Sequence, residues 1–231
     1  MPRTMLITEG SSPLGGALIR LFVARGCTVA ATREAAREGA PHEQTPNTGA
    51  APGASGRSIL NVPWNRRSPA SARTVLLTVL NSLENIDEAV ILEPPSPTAA
   101  PLHEASSSDI ERAFDDAKGP AFIAREVLSW FLRSGAGVLC MVSGGPPAGP
   151  LESGARECFR GFASSLLAGP GGAGIVANGF QNGGGVDVEE YAAFIDRTLE
   201  EKARKISGRW FTCQPRTGFF QGVLAGQPRR G

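Results

Sequence analysis

The chain alternates between short apolar runs and longer stretches in which apolar residues recur at helical spacing. Met5–Thr8, Thr28–Ala31, Ser58–Val62, Glu88–Leu92, Val138–Val142 and Gly174–Asn178 read as strands buried on both faces. Ala17–Arg25, Ala70–Leu83, Ser108–Arg133, Ser153–Ala168 and Val188–Ile206 repeat apolar side chains every three or four residues, as one face of a helix does. Trp210–Cys213 or Phe219–Leu224 supplies a last edge strand. The alternation predicts an α/β fold, a parallel sheet covered by helices on both faces. The longest helix, with Ser108 or Asp109 as its N-cap, is apolar on two sides. Ala117, Ala121, Ala124, Leu128 and Phe131 form one side, and Phe122, Ile123, Val127 and Trp130 the other. One side is expected on the sheet and the other against a second subunit.

Composition narrows the function classes. The 231 residues carry a net charge of +1, so no basic footprint points to nucleic acid. No apolar run reaches the ~20 residues of a membrane span, and the first residues hold too short an apolar core for a signal peptide. The expectation is a single cytoplasmic domain over residues 1–231. Cys27, Cys140 and Cys158 lie in apolar stretches and read as buried thiols, while His42 and His103 stand alone, so no metal site is expected. Arg66-Arg67 and Arg229-Arg230 read as solvated pairs. Ala40–Gly56 reads as a long loop, preceded by a helix start at Arg33–Gly39.

The first turn, Thr8-Glu9-Gly10-Ser11-Ser12-Pro13-Leu14-Gly15, joins a strand to a helix. In a βαβ unit such a glycine-rich turn is where a dinucleotide's pyrophosphate lies. Four later fragments follow in order: Lys118-Gly119-Pro120, Gly137–Ser143, Arg160-Gly161-Phe162-Ala163, and Gly174-Ile175-Val176-Ala177-Asn178. Together with the first turn they resemble the short-chain dehydrogenase/reductase family over nearly the whole chain. The resemblance implies a Rossmann-type, doubly wound parallel sheet of about seven strands. It also implies pairing of subunits through the helices at Ser108–Arg133 and Ser153–Ala168.

The positions that carry the family's chemistry hold other residues. In the first turn, Glu9 and Pro13 stand for two of the glycines, while Thr8, Gly10 and Gly15 are kept. A carboxylate at Glu9 repels a pyrophosphate, and Pro13 lacks an amide hydrogen. The acid that holds adenine falls at Asn61, and the Asn-Asn-Ala-Gly motif falls on Leu92-Glu93-Pro94-Pro95. The catalytic asparagine falls at Asp116. The family's serine falls at Gly144 beside Ser143, its tyrosine at Glu152 and its lysine at Arg156. An ionised glutamate is a poor proton donor near neutral pH, and arginine does not replace lysine as a compact ribose ligand. The long lid after the sixth strand is shortened near 179–187.

Each altered residue also has a plain structural reading. Glu152 and Arg156 have the spacing of an i,i+4 ion pair worth ~0.3–0.5 kcal/mol, and Ser143 reads as the cap of a turn. The resemblance, with these departures, implies a catalytically inactive subunit that binds no cofactor and supports an active homologue carrying NAD(P). The assembly would be a heterodimer or heterotetramer, with an interface at Ala117, Ala121, Leu128, Phe131, Cys158, Phe159, Phe162 and Leu166. Phe219, Phe220 and the Arg229-Arg230 end would reach towards the partner's site. Mixed assemblies of this kind include one that oxidises an acyl-CoA alcohol in anaerobic toluene degradation. The alternatives are an atypical NAD(P)H-dependent ketoreductase with substrate-assisted protonation and a nucleotide-sensing regulator.

Overall fold

The computed structural model describes residues 2–35, 59–95, 100–145, 148–169 and 174–215. The expected Ala40–Gly56 loop, the Phe219–Leu224 strand and the chain end at Arg229-Arg230 lie outside them. The apolar runs become β1 (Thr4–Ile7), β2 (Thr28–Glu34), β3 (Ile59–Trp64), β4 (Glu88–Leu92), β5 (Gly137–Ser143), β6 (Ile175–Asn182) and β7 (Arg209–Cys213). The helical stretches become α1 (Pro13–Ala24), α2 (Pro69–Leu83), α3 (Ser107–Ser134), α4 (Pro150–Ala168) and α5 (Val188–Thr198).

All pairings are parallel, and the strands lie in the order β3-β2-β1-β4-β5-β6-β7. The order reverses direction between β1 and β4, the switch point where open α/β sheets leave a crevice beyond their strand ends. Side chains alternate along each strand and so feed two cores. Leu6, Ile91 and Met141 face Val75, Ile123, Phe131 and Phe159 of α2, α3 and α4. Ile7, Val90 and Cys140 face Leu18 and Phe22 of α1 and Tyr191 and Ile195 of α5.

The boundaries depart from the sequence reading for identifiable reasons. Three helices begin earlier than expected because Pro13, Pro69 and Pro150 open them; proline suits a first turn, whose amides lack partners in any case. The cap of α3 is Ser106, not Ser108 or Asp109. Its hydroxyl accepts the Asp109 amide, while the Asp109 carboxylate accepts the Ser106 amide. No helix starts at Arg33, since β2 pairs with β3 as far as Glu34. The last helix leaves α geometry at Leu199 and passes through one π turn, Leu199–Ala203. Cys158 is exposed rather than buried, whereas Cys27, Cys140 and Cys213 are buried. Phe131 and Phe159, expected at an interface, are instead core side chains with at most 1% of their surface exposed.

Candidate functional site

The crevice at the switch point is reached from the ends of β1, β4, β5 and β6. Beyond β1, Thr8 closes the sheet: its amide donates to Val90 and its hydroxyl accepts the Leu92 amide at 2.8 Å. Ser12 then caps α1, accepting the Gly15 amide at 3.0 Å and donating to the Glu9 carbonyl at 2.8 Å. Gly15 is required there, because a Cβ on it would stand 2.2 Å from the Glu9 carbonyl oxygen. Glu9 takes the left-handed conformation, φ 54°, which costs a side-chain-bearing residue roughly 1–2 kcal/mol.

The Glu9 side chain turns into the protein rather than towards solvent. Its two oxygens accept from Arg66 Nε and Nη2 at 2.6 and 2.5 Å, and both side chains are 6% exposed. Arg66 follows β3, and its third nitrogen lies 3.4 Å from Glu34. Burial alone would lower the affinity of this guanidinium for its proton. The hydrogen bond and charge of Glu9 outweigh that, so its pKa lies above the ordinary arginine value. The backbone of Arg66 is pressed against α3 at Gly119, where a Cβ would stand 2.8 Å from the Arg66 Cβ. Arg67, next in the chain, donates to Asp116 at 3.1 Å. The pair expected to be solvated therefore splits into one buried and one half-exposed partner of carboxylates. Asn61, on β3, has a buried Oδ1 without a hydrogen-bond partner.

A second cluster stands beyond β4 and β5. One Glu93 oxygen accepts from the Ser143 hydroxyl at 2.7 Å and from the Gly144 amide at 3.0 Å. The other accepts from Arg156 Nε at 2.7 Å. Arg156 also donates to the Gly145 carbonyl and, at 3.1 Å, to Glu152. The second Glu152 oxygen accepts the Ala148 amide at 2.7 Å. The expected i,i+4 pair thus forms, but Glu93 is the better-buried partner, with 9% exposure on each side of the Glu93–Arg156 bridge. Tyr191, the single tyrosine of the chain, reaches this cluster from α5. Its hydroxyl donates to the Ser143 carbonyl at 2.9 Å, and burial pushes its pKa far above the usual phenol value.

Two small clefts flank Arg156, each of about 220 Å³. One is lined by Pro13, Leu92, Glu93 and Pro94, the other by Ser143, Gly144, Arg160 and Gln181. The wall beyond β6 is a tight turn. Gly183 donates to Cys213, Asn182 holds Gly184 and Val186, and Asp187 caps α5. Among the described residues no three His, Cys, Asp or Glu side chains gather to hold a metal ion, and no helix is long and apolar enough to cross a membrane.

The remaining interface candidates lie elsewhere. Ala117, Ala121, Leu128, Phe162 and Leu166 are half-buried, and Cys158 is on the surface. A groove of about 360 Å³ between α3 and α4 is lined by Ala121, Leu128, Phe162 and Leu166, with Arg125 and Ser165 at its rim.

Sequence reasoning placed Glu9, Glu93, Glu152 and Arg156 near the crevice but missed Arg66. A signal existed. A glutamate in a buried turn needs a cation, and Arg66 follows β3, two strands away from β1 on the same side of the switch point.

No family model and no curated protein matches the chain. Solved structures do. A protein assigned as a 3-oxoacyl-reductase from Bacillus thuringiensis superposes with TM-score 0.71 at 14% identity, over 92% of this chain and 96% of that one. A short-chain dehydrogenase from Streptomyces avermitilis gives 0.69 at 16%, over 93% and 89%. A short-chain dehydrogenase/reductase from Serratia marcescens gives 0.70 at 16%, over 91% and 96%. The seven-stranded parallel sheet with helices on both faces is the fold of the short-chain dehydrogenases.

Proposed function

We propose that the chain is a non-catalytic short-chain dehydrogenase-type subunit that supports an active homologue carrying NAD(P). The observation that carries this reading is two enclosed ion pairs at the crest of the sheet, the buried Glu9–Arg66 and the nearly buried Glu93–Arg156. In this fold the first turn receives a pyrophosphate, and here a carboxylate and its guanidinium partner stand beside it. The proton donor is equally compromised. Glu152 is committed to Ala148 and Arg156, and the phenol of Tyr191 is buried with its proton held by a carbonyl. A side chain must reach the reacting oxygen to act as a general acid, and neither is free to do so. The short turn at 183–187 leaves little to close over a substrate and exclude water.

The groove between α3 and α4 is the surface we assign to the partner. Its apolar floor at Leu128, Phe162 and Leu166 fits a matching pair of helices. The reductases and dehydrogenases among the similar solved structures suggest an oxidoreductase partner, with 3-oxoacyl compounds as one substrate class. Acyl-CoA alcohol oxidation in anaerobic toluene degradation is one such setting.

Calorimetric titration of the isolated chain with NADH and NADPH tests the reading. No binding is expected. Micromolar binding with turnover of a ketone would instead favour the atypical ketoreductase, and binding without turnover the nucleotide-sensing regulator. Co-expression with an intact short-chain dehydrogenase should yield a complex of equal stoichiometry. A chain that stays monomeric beside every such homologue would overturn the subunit assignment.

A further inference from the structure

We infer that Arg66 is the receptor of a latent oxyanion site and that Glu9 is its built-in occupant. The inference rests on the reading that the chain carries no dinucleotide, and it supplies a physical reason why. Three features point to it. The first is the fork of Arg66, which presents Nε and Nη2 side by side to two oxygens of one carboxylate. That geometry suits two oxygens of a phosphate equally well.

The second is the rigidity of the receptor. Gly119 lets α3 approach the Arg66 backbone so closely that a Cβ there would stand 2.8 Å from the Arg66 Cβ, and the guanidinium is 6% exposed. This close packing fixes the Arg66 backbone, so the arginine has less room to move away when its partner is lost than one on the surface would. The third is the origin of the occupant. Glu9 belongs to the turn that opens α1, and it holds a left-handed backbone conformation that favours glycine. Its carboxylate therefore comes from the segment that would otherwise present its backbone to a ligand.

The charges around the fork are accounted for. Nη1 faces Glu34 at 3.4 Å, and Arg67 is held by Asp116. Removing the Glu9 carboxylate leaves the Nε–Nη2 edge without an acceptor while both neighbouring carboxylates keep a cation. The ligand class is a small oxyanion, either free phosphate or the phosphate of a nucleotide. In the unaltered chain Glu9 holds this site closed.

The test uses the full chain carrying Glu9→Gly or Glu9→Asn, both compatible with a left-handed backbone. Thermal denaturation is followed with inorganic phosphate, ADP or NAD⁺ at constant ionic strength. Millimolar phosphate or ADP is expected to raise the Tm of both variants by about 5 °C and to leave the unaltered chain and a Glu9→Gly, Arg66→Met double variant unmoved. Equal shifts with phosphate and ADP assign the site to the free anion, and a larger shift with ADP to a nucleotide. Folded variants that respond no more than the unaltered chain would overturn the inference, as would unfolded variants that phosphate does not restore. Binding of NADH by the unaltered chain removes the proposed function instead, and the phosphate arm remains readable by itself.

Discussion

Strand β4 begins with one glutamate and is followed by another, both with little exposed side chain, and the two ends of the sheet use them differently. Glu88, at its start, accepts from Arg204 Nε and Nη2 at 2.6 and 2.9 Å. Around that bond spreads a shared network: Arg3 bridges Glu88 and Glu200, Arg204 also pairs with Glu200, and Arg25 pairs with Asp196 and Glu200. Glu93, just past the strand's end, is held mainly by Arg156. The network at the start reaches solvent through Arg3 and Arg25, which are about two-fifths exposed, whereas both members of the Glu93 bridge are nearly buried. One end shares its charges among several partners. The other encloses short bridges, Glu93–Arg156 and Glu9–Arg66, each arginine keeping one further and longer contact to Glu152 or Glu34, at the place where an α/β sheet ordinarily keeps room for a ligand.

The sharpest way to break this comparison is to remove one carboxylate from each end. Glu93→Ala leaves Arg156 with only Glu152 and the Gly145 carbonyl, and also frees the Ser143 hydroxyl and the Gly144 amide. A loss of about 3–5 kcal/mol is expected in urea denaturation. Glu88→Ala should cost less, because Arg204 and Arg3 keep Glu200. Equal losses would show that the enclosed pair is no different from the shared network. Replacing Glu93 and Arg156 together by Leu and Met should recover most of the loss.

A smaller effect is expected at the cap of α3. Ser106→Ala should cost about 1 kcal/mol, read as faster amide exchange in the first turn. The Ser106 hydroxyl and amide hold Asp109 below its ordinary carboxylate value. A depressed carboxylate stabilises above its ordinary value, so the cap should weaken as pH falls through the folded value of Asp109.

Acid acts on the network at the strand starts. Burial would raise Glu200, but Arg204 and Arg3 outweigh it and hold the carboxyl below its usual range. Its contribution is present above the ordinary glutamate value and lost as pH falls through the folded one. The network at the strand starts should therefore loosen on acidification, seen as earlier exchange near Arg3 and Arg204. The smallest perturbation is chemical labelling. Iodoacetamide should modify Cys158 in the native protein and spare Cys140, whose thiol burial pushes well up.

Much of the fold was legible because apolar periodicity reports burial directly. The β4 limits read from Glu88 to Leu92 match the structure. The first turn of each proline-led helix was less legible, since Pro13, Pro69 and Pro150 signal a break and a start alike. Phe131 and Phe159 illustrate a different limit. Helical spacing places a residue on a face but does not say how deep it sits when both faces of a helix are apolar. The crest residues were found through the family resemblance, whereas Arg66 and the Glu93–Arg156 bond were not, because partners distant in sequence leave no periodic trace. The solvated reading of Arg66 follows from its place in an Arg-Arg pair, and local sequence does not report what folds over it.

The Glu9–Arg66 pair also constrains how the sequence can change. A chain that exchanges Glu9 for glycine first must carry a buried guanidinium with only the exposed Glu34 beside it. A chain that exchanges Arg66 first must carry a buried carboxylate without its cation. Each single step is disfavoured by an unpaired buried charge, while the two steps together are tolerable. The pair therefore acts as a barrier in sequence space that holds in both directions: gaining it or losing it one residue at a time runs through a less stable intermediate.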